Sequence, residues 1–243
     1  MATTKADIIN QLRKEIFPLQ GLKYIPAPSS ISTGLGPIEK AFPNGCFPTG
    51  AIHEFLSGEP SGAAATGGFV AGLLAPLMQC NGASVWISSS RKIFPTALKF
   101  FGLAPDRIIF VDVENEKDAL WAMEEALKCN GLAAVVGEMQ EMSFTASRRL
   151  QLVVEQSGVT GFILRHQPRN INTTACVSRW KISSLASVME DDLPGVGFPR
   201  WKVELVKIRN GKTGMWQVEY YGGRFHISTP AASILLELKR KTG

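Results

Sequence analysis

Gly58-Glu59-Pro60-Ser61-Gly62, followed by Ala63, Ala64 and Ala65, is the stretch whose residue types come nearest to phosphate chemistry. A phosphate-binding loop of the G-x-x-x-x-G-K-[ST] type needs three things: glycines so that backbone N–H groups converge on oxygen, a Lys for the β- and γ-phosphates, and a Ser or Thr for Mg²⁺. The glycines are present, but alanines follow them, so the cation and the hydroxyl are both missing. Such a loop could still hold an anion through its N–H groups and the following helix N-terminus. Its plain alternative is a glycine-rich packing turn. Nothing else supplies a nucleophile with its base, because His53, His166 and His226 are scattered. Cys46, Cys80, Cys129 and Cys176 lie dozens of residues apart without a C-x-x-C pair, which points to neither a zinc site nor a disulfide framework.

The elements around this stretch alternate. Ala51–Leu56, Ser84–Ser88, Arg107–Val111, Leu132–Val136 and Thr160–Arg165 read as strands. Thr66–Cys80, Ile93–Phe101, Glu116–Lys128 and Thr145–Gln156 read as the helices between them. Strand–helix alternation predicts an α/β fold with a mainly parallel sheet covered on both faces. After Arg165 the pattern changes to strands Arg179–Ile182, Trp201–Ile208 and Met215–Tyr221, with Asn210-Gly211 a hairpin signal, so an antiparallel extension is expected. At the N-terminus, Ile8, Ile9, Leu12, Ile16 and Phe17 have near-helical spacing, and Gly21–Ser32 reads as a linker. The tail Ala231–Lys241 carries Leu235, Leu236 and Leu238 on one side of a short helix.

At 243 residues and 45% hydrophobic content, the chain suits one substantial core with appendages. The formal net charge of +5 is uneven: residues 1–159 hold 13 Lys/Arg against 15 Asp/Glu, and residues 160–243 hold 13 against 6. That asymmetry suggests a face for nucleic acid or an acidic partner. No signal-type apolar core opens the sequence, and Ala63–Met78 is short and glycine-interrupted, so a buried helix in a soluble, cytoplasmic protein without membrane contact is expected.

Ser32-Thr33-Gly34, the Pro43-Asn44-Gly45 turn, Phe47-Pro48-x-Gly50 and Ile52-x-Glu54 resemble the segment leading into the ATP site of RecA recombinases, and the order matches over most of residues 32–221. This resemblance implies a RecA-like core at 32–228, an N-terminal helix and linker at 1–31, and a tail at 229–243. It places the family's catalytic acid near Ser90 and its metal-binding aspartate at Gly137, so neither carboxylate is present. Glu138 stands one residue later, where strand alternation predicts the opposite face. Lys, Ser/Thr, acid and Asp are missing together, which removes the terms on which phosphoryl transfer depends. The expectation is no ATP hydrolysis, no metal and no cofactor. Gln167 matches a γ-phosphate sensor, and Lys207 with Arg209 a basic pair that reaches a neighbouring subunit's nucleotide; the plain alternative is a polar strand end and solvated charges. The family's two DNA-binding loops correspond to roughly Met139–Phe144 and Arg169–Ala175, both short, leaving Arg165, Arg169, Arg179 and Lys181 as candidate phosphate contacts.

Asp118–Leu127, Leu132–Glu138, Thr145–Leu152, Pro199–Leu205 and Gly214–Glu219 together resemble ImuA proteins, the RecA-like component of the bacterial mutagenesis cassette. That resemblance implies a non-catalytic adaptor in the DNA damage (SOS) response and translesion synthesis. It would act with ImuB, a Y-family polymerase homologue lacking catalytic residues, and with a DnaE-type polymerase; DNA, RecA and self-association are further candidates. Leu12, Ile16, Phe17, Leu235, Leu236 and Leu238 are the expected partner contacts, with packing on the chain's own core as the alternative. Two other readings are an ATP-dependent DNA-binding protein and a SulA-like division inhibitor acting on FtsZ.

Overall fold

The computed structural model describes residues 11–12, 32–90, 93–187 and 197–228. The fold is α/β, built on one nine-stranded sheet with order β3-β2-β4-β5-β1-β6-β7-β8-β9. In chain order the main elements are β1 (Ile52–Ser57), α1 (Pro60–Asn81), β2 (Ser84–Ser88), β3 (Ile108–Asp112), α2 (Glu116–Leu127) and β4 (Ala134–Glu138). They continue with α3 (Phe144–Ser157), β5 (Thr160–His166), β6 (Ser178–Leu185), β7 (Arg200–Ile208), β8 (Gly214–Tyr221) and β9 (Arg224–Ser228). The segment expected as a helix at Ile93–Phe101 is a 3₁₀ helix, Pro95–Phe101. β9 was not anticipated, although Gly222-Gly223, both at positive φ, is a strong hairpin signal.

β1 to β6 form the parallel part, and β7 to β9 add antiparallel strands through hairpins. β6 was expected within the antiparallel extension. It is parallel to β1 and antiparallel to β7, and so joins the two halves. β1, β2 and β4 are buried at every position, because helices cover both faces of a central parallel strand.

α1 covers one face and α2 with α3 the other, giving two cores. α1 carries no charged residue from Pro60 to Asn81 and is long and apolar enough to span a membrane. Here Phe69, Val70, Leu73, Leu74 and Leu77 are buried against the sheet, as suits a helix apolar on all sides. Its glycines serve that packing: a Cβ on Gly72 would lie 2.6 Å from Phe225 Cζ, and one on Gly68 would lie 3.1 Å from Trp201 Cζ2. Trp201, Tyr220 and Phe225 of the antiparallel strands thus pack onto the helix backbone.

Candidate functional site at the carboxyl ends of the strands

β1 ends at Ser57, and after Gly58 and Glu59 the chain is already helical at Pro60. The helix expected from Thr66 therefore starts six residues earlier, and the presumed loop residues Ser61, Gly62, Ala63 and Ala64 form its first turns. Local chemistry explains the shift: proline at the first helical position has its φ pre-set, and the alanines after it are strong helix formers. The Gly62 N–H bonds to Glu59 O at 2.9 Å, inside the turn. Gly62 is buried, and a Cβ there would sit 3.1 Å from Ser57 Cβ, so its smallness lets α1 descend onto β1.

Beneath those turns lies a row of polar side chains from four adjacent strands, all on the α1 face. Ser57 Oγ is 2.8 Å from His166 Nδ1, His166 Nε2 is 3.8 Å from Glu138 Oε2, and Trp86 Nε1 donates to Glu138 Oε1 at 2.8 Å. Ser57, Glu138 and Trp86 are buried. A cavity of about 180 Å³ is lined by Glu138 and His166 together with Ala63, Ala64 and Gly67 of α1. The expected face of Glu138 is thereby corrected. β4 runs to Glu138, and alternation puts Ala134, Val136 and Glu138 on the α1 side. Gly137 points the other way, where a Cβ would meet Met123 Sδ of α2 at 2.8 Å. An aspartate at 137 would face the wrong core. The position near Ser90 follows β2 as an exposed bend.

On the opposite face of β1, Glu54 is wholly buried and binds two guanidinium groups. Arg165 Nη1 donates to Oε1 at 2.7 Å, Arg179 Nε donates to Oε2 at 2.7 Å, and Thr174 Oγ1 donates to Oε2 at 2.9 Å. The remaining donors hold the segment after β5: Arg165 Nη2 bonds Asn170 O at 2.8 Å, and Arg179 Nη2 bonds Asn172 O. Lys207 Nζ bonds Thr174 O at 2.7 Å, and Arg209 Nη2 bonds Ala175 O at 3.1 Å. Burial lowers the Lys207 pKa, and burial with the Glu54 charge pushes the Cys176 thiol up to about 12. Arg165, expected to reach phosphate, is corrected outright: its side chain is fully inside the protein. Arg179, Lys207 and Arg209 are likewise turned onto the chain's own carbonyls, because a buried glutamate and a run of orphan C=O groups need charged donors.

The two short loops are cross-braced as well. Arg165 Nε donates to Gln140 O at 3.0 Å, Gln140 Nε2 to Gln167 O at 2.8 Å, and the Arg169 N–H to Glu141 Oε1 at 2.9 Å. Gln167 takes a left-handed backbone, φ 49°, and bonds Ser57 O through its N–H at 2.8 Å, leaving its side chain exposed. Among the expected residues, Gly58, Gln167 and Lys181 come together around a second cavity of about 330 Å³ with Ser57 and Ile171. Arg169 and Lys181 are exposed. Leu12 is helical and 48% exposed, whereas Ile16, Phe17, Leu235, Leu236 and Leu238 lie outside the described residues. Sequence reasoning missed Ser57, His166 and Trp86. The one available signal was a serine and a histidine each ending an apolar strand.

No family model matches the chain. Protein ImuA of Caulobacter vibrioides is 35% identical over 198 residues, covering 76% of this chain and 81% of that protein. Cell division inhibitor SulA of Photorhabdus laumondii is 28% identical over 120 residues, covering 48% of this chain and 68% of that protein. SulA of Serratia proteamaculans is 29% identical over 104 residues, covering 41% of this chain and 61% of that protein. Identity on this scale across most of both chains sets the Caulobacter match apart from the partial ones, and the chain belongs to the ImuA family.

Proposed function

We propose that this protein is a non-catalytic, RecA-like adaptor of the mutagenesis cassette in translesion DNA synthesis, acting with an ImuB-type polymerase homologue and a DnaE-type polymerase in the cytoplasm. Family membership supports the cassette. The observation that carries the adaptor reading is the use of the strand-end cations: Arg165, Arg179, Lys207 and Arg209 bind protein carbonyls and Glu54. Phosphoryl transfer runs on positioned cations and metal-holding groups. Here Ala63 and Ala64 share a cavity with His166 and Glu138 instead, and His166 is in turn 2.8 Å from Ser57 Oγ.

Calorimetric titration with Mg·ATP, alongside co-purification with the cassette's polymerase homologue, tests the reading. The expected result is no Mg²⁺-dependent uptake and a stable complex. Mg·ATP bound against residues 58–66 would overturn it and favour an ATP-dependent DNA-binding protein. The partial SulA identity favours a second reading, a division inhibitor. Co-sedimentation with FtsZ filaments decides between them.

A further inference from the structure

A further, more apolar concavity adjoins the cavity over the buried polar row and shares Ala64, Gly67 and Ile93 with its lining. It is a groove of about 610 Å³, floored by the small residues Ser61, Ala64, Gly67 and Gly68 of α1 and walled by Ile93, Phe101, Leu185 and Trp201. Two aromatic rings stand at its rim, Phe94 at 69% and Phe198 at 44% exposure. Exposed rigid aromatics beside an apolar trench are unusual on a surface without a partner. The volume suits a buried ligand, but convergent polar groups, which fix a small metabolite, are lacking.

Charge narrows the occupant. Among the described residues no Asp or Glu lines the groove, and Arg200 is its charged member. One Arg200 N–H goes to Ala186 O at 3.2 Å, and the guanidinium has further donors. Lys99 of the 3₁₀ helix follows the lining residue Leu98 in sequence, whereas Lys202 of β7 alternates to the other face of the sheet and pairs with Glu204 at 2.7 Å. α1 adds no charge along its whole length.

Resting on the adaptor reading, we infer that this groove docks a partner segment carrying a large apolar anchor flanked by carboxylates. The anchor seats on the Ala64–Gly68 floor between Phe94 and Phe198, and the acidic flank meets Arg200. Apolar burial supplies the affinity and the cation sets orientation.

The test uses the full chain and the cassette's polymerase homologue in a binding titration. Ala64→Glu places a carboxylate on an exposed floor position, and Arg200→Glu reverses the rim. Each weakens the complex about tenfold or more while the melting temperature stays within about 2 °C. Phe94→Ser acts in the same direction, and Trp121→Ser on the exposed face of α2 leaves affinity unchanged. Unchanged affinity in folded Ala64→Glu and Arg200→Glu variants overturns the groove assignment alone. No binding by the unaltered chain overturns this inference together with the adaptor reading. Binding that emerges only when residues 188–196 are replaced by a Gly-Ser linker overturns it too, making the chain itself the occupant.

Discussion

Arg165 and Glu54, 111 positions apart in the chain, meet as a wholly buried ion pair at 2.7 Å. β1 lies between β5 and β6, and this lets one carboxylate receive a guanidinium from each neighbour. The pair ties the centre of the sheet to the segment after β5.

Breaking such a pair strands a charge without water. Glu54→Gln is expected to cost about 3–5 kcal/mol, read as a drop in urea midpoint at unchanged slope. A loss below about 1 kcal/mol would mean that the guanidinium groups find other acceptors.

His53 makes the fold acid-sensitive. Its Nε2 lies 2.7 Å from Pro48 O and so carries the proton, while Nδ1 accepts from Ser178 Oγ at 2.6 Å. Burial lowers its pKa from 6.5 to about 3. The unfolded chain takes up this proton below pH 6.5 and the folded chain does not until about pH 3. The contribution is therefore complete above pH 6.5 and declines between 6.5 and about 3, by up to about 1.4 kcal/mol per pH unit. His53→Gln should flatten the stability curve in that window relative to the unaltered chain, as measured by urea unfolding from pH 7 to 4.5.

Restoring the recombinase-like carboxylate at the end of β4 should harm the protein. Gly137→Asp drives a charged side chain into the contact with Met123. Overpacking costs about 1–3 kcal/mol and the unpaired buried charge adds more. Calorimetry is expected to show a lower melting temperature, and Mn²⁺ titration no gain in metal affinity.

Lys207 should act as a fastener. Lys207→Met keeps the apolar stem and removes the donor to Thr174 O. Loss of a charged hydrogen bond of about 1.5–3 kcal/mol should speed amide exchange in the 169–176 segment roughly tenfold or more. Single-stranded DNA binding, if any is measured, should not change. A loss of DNA affinity with unaltered exchange would return Lys207 to the surface role.

The strand and helix pattern was legible because it is local. Continuous apolar runs such as Leu132–Val136 and the mixed period of Glu116–Lys128 translated into β4 and α2 within a residue or two at most ends. The start of α1 was misplaced because glycines suggested a loop, whereas Pro60 and the alanines that follow favour a helix. The side of β4 that bears its carboxylate was also misread, since a one-residue change in where a strand ends reverses its faces.

By itself the sequence determined the alternating α/β order, the long uncharged α1, the absence of a Lys and Ser/Thr after Gly62, and the family. These depend on residue identity and near-neighbour spacing. Tertiary structure alone decided what the basic residues do. Arg165, Arg179, Lys207 and Arg209 read as a cationic surface, and sheet order turned them onto Glu54 and the carbonyls of residues 170–175. It also decided that Ser57, His166, Glu138 and Trp86 share one face under α1. Burial and partnership arise from strands distant in sequence, and a charge's meaning depends on what surrounds it.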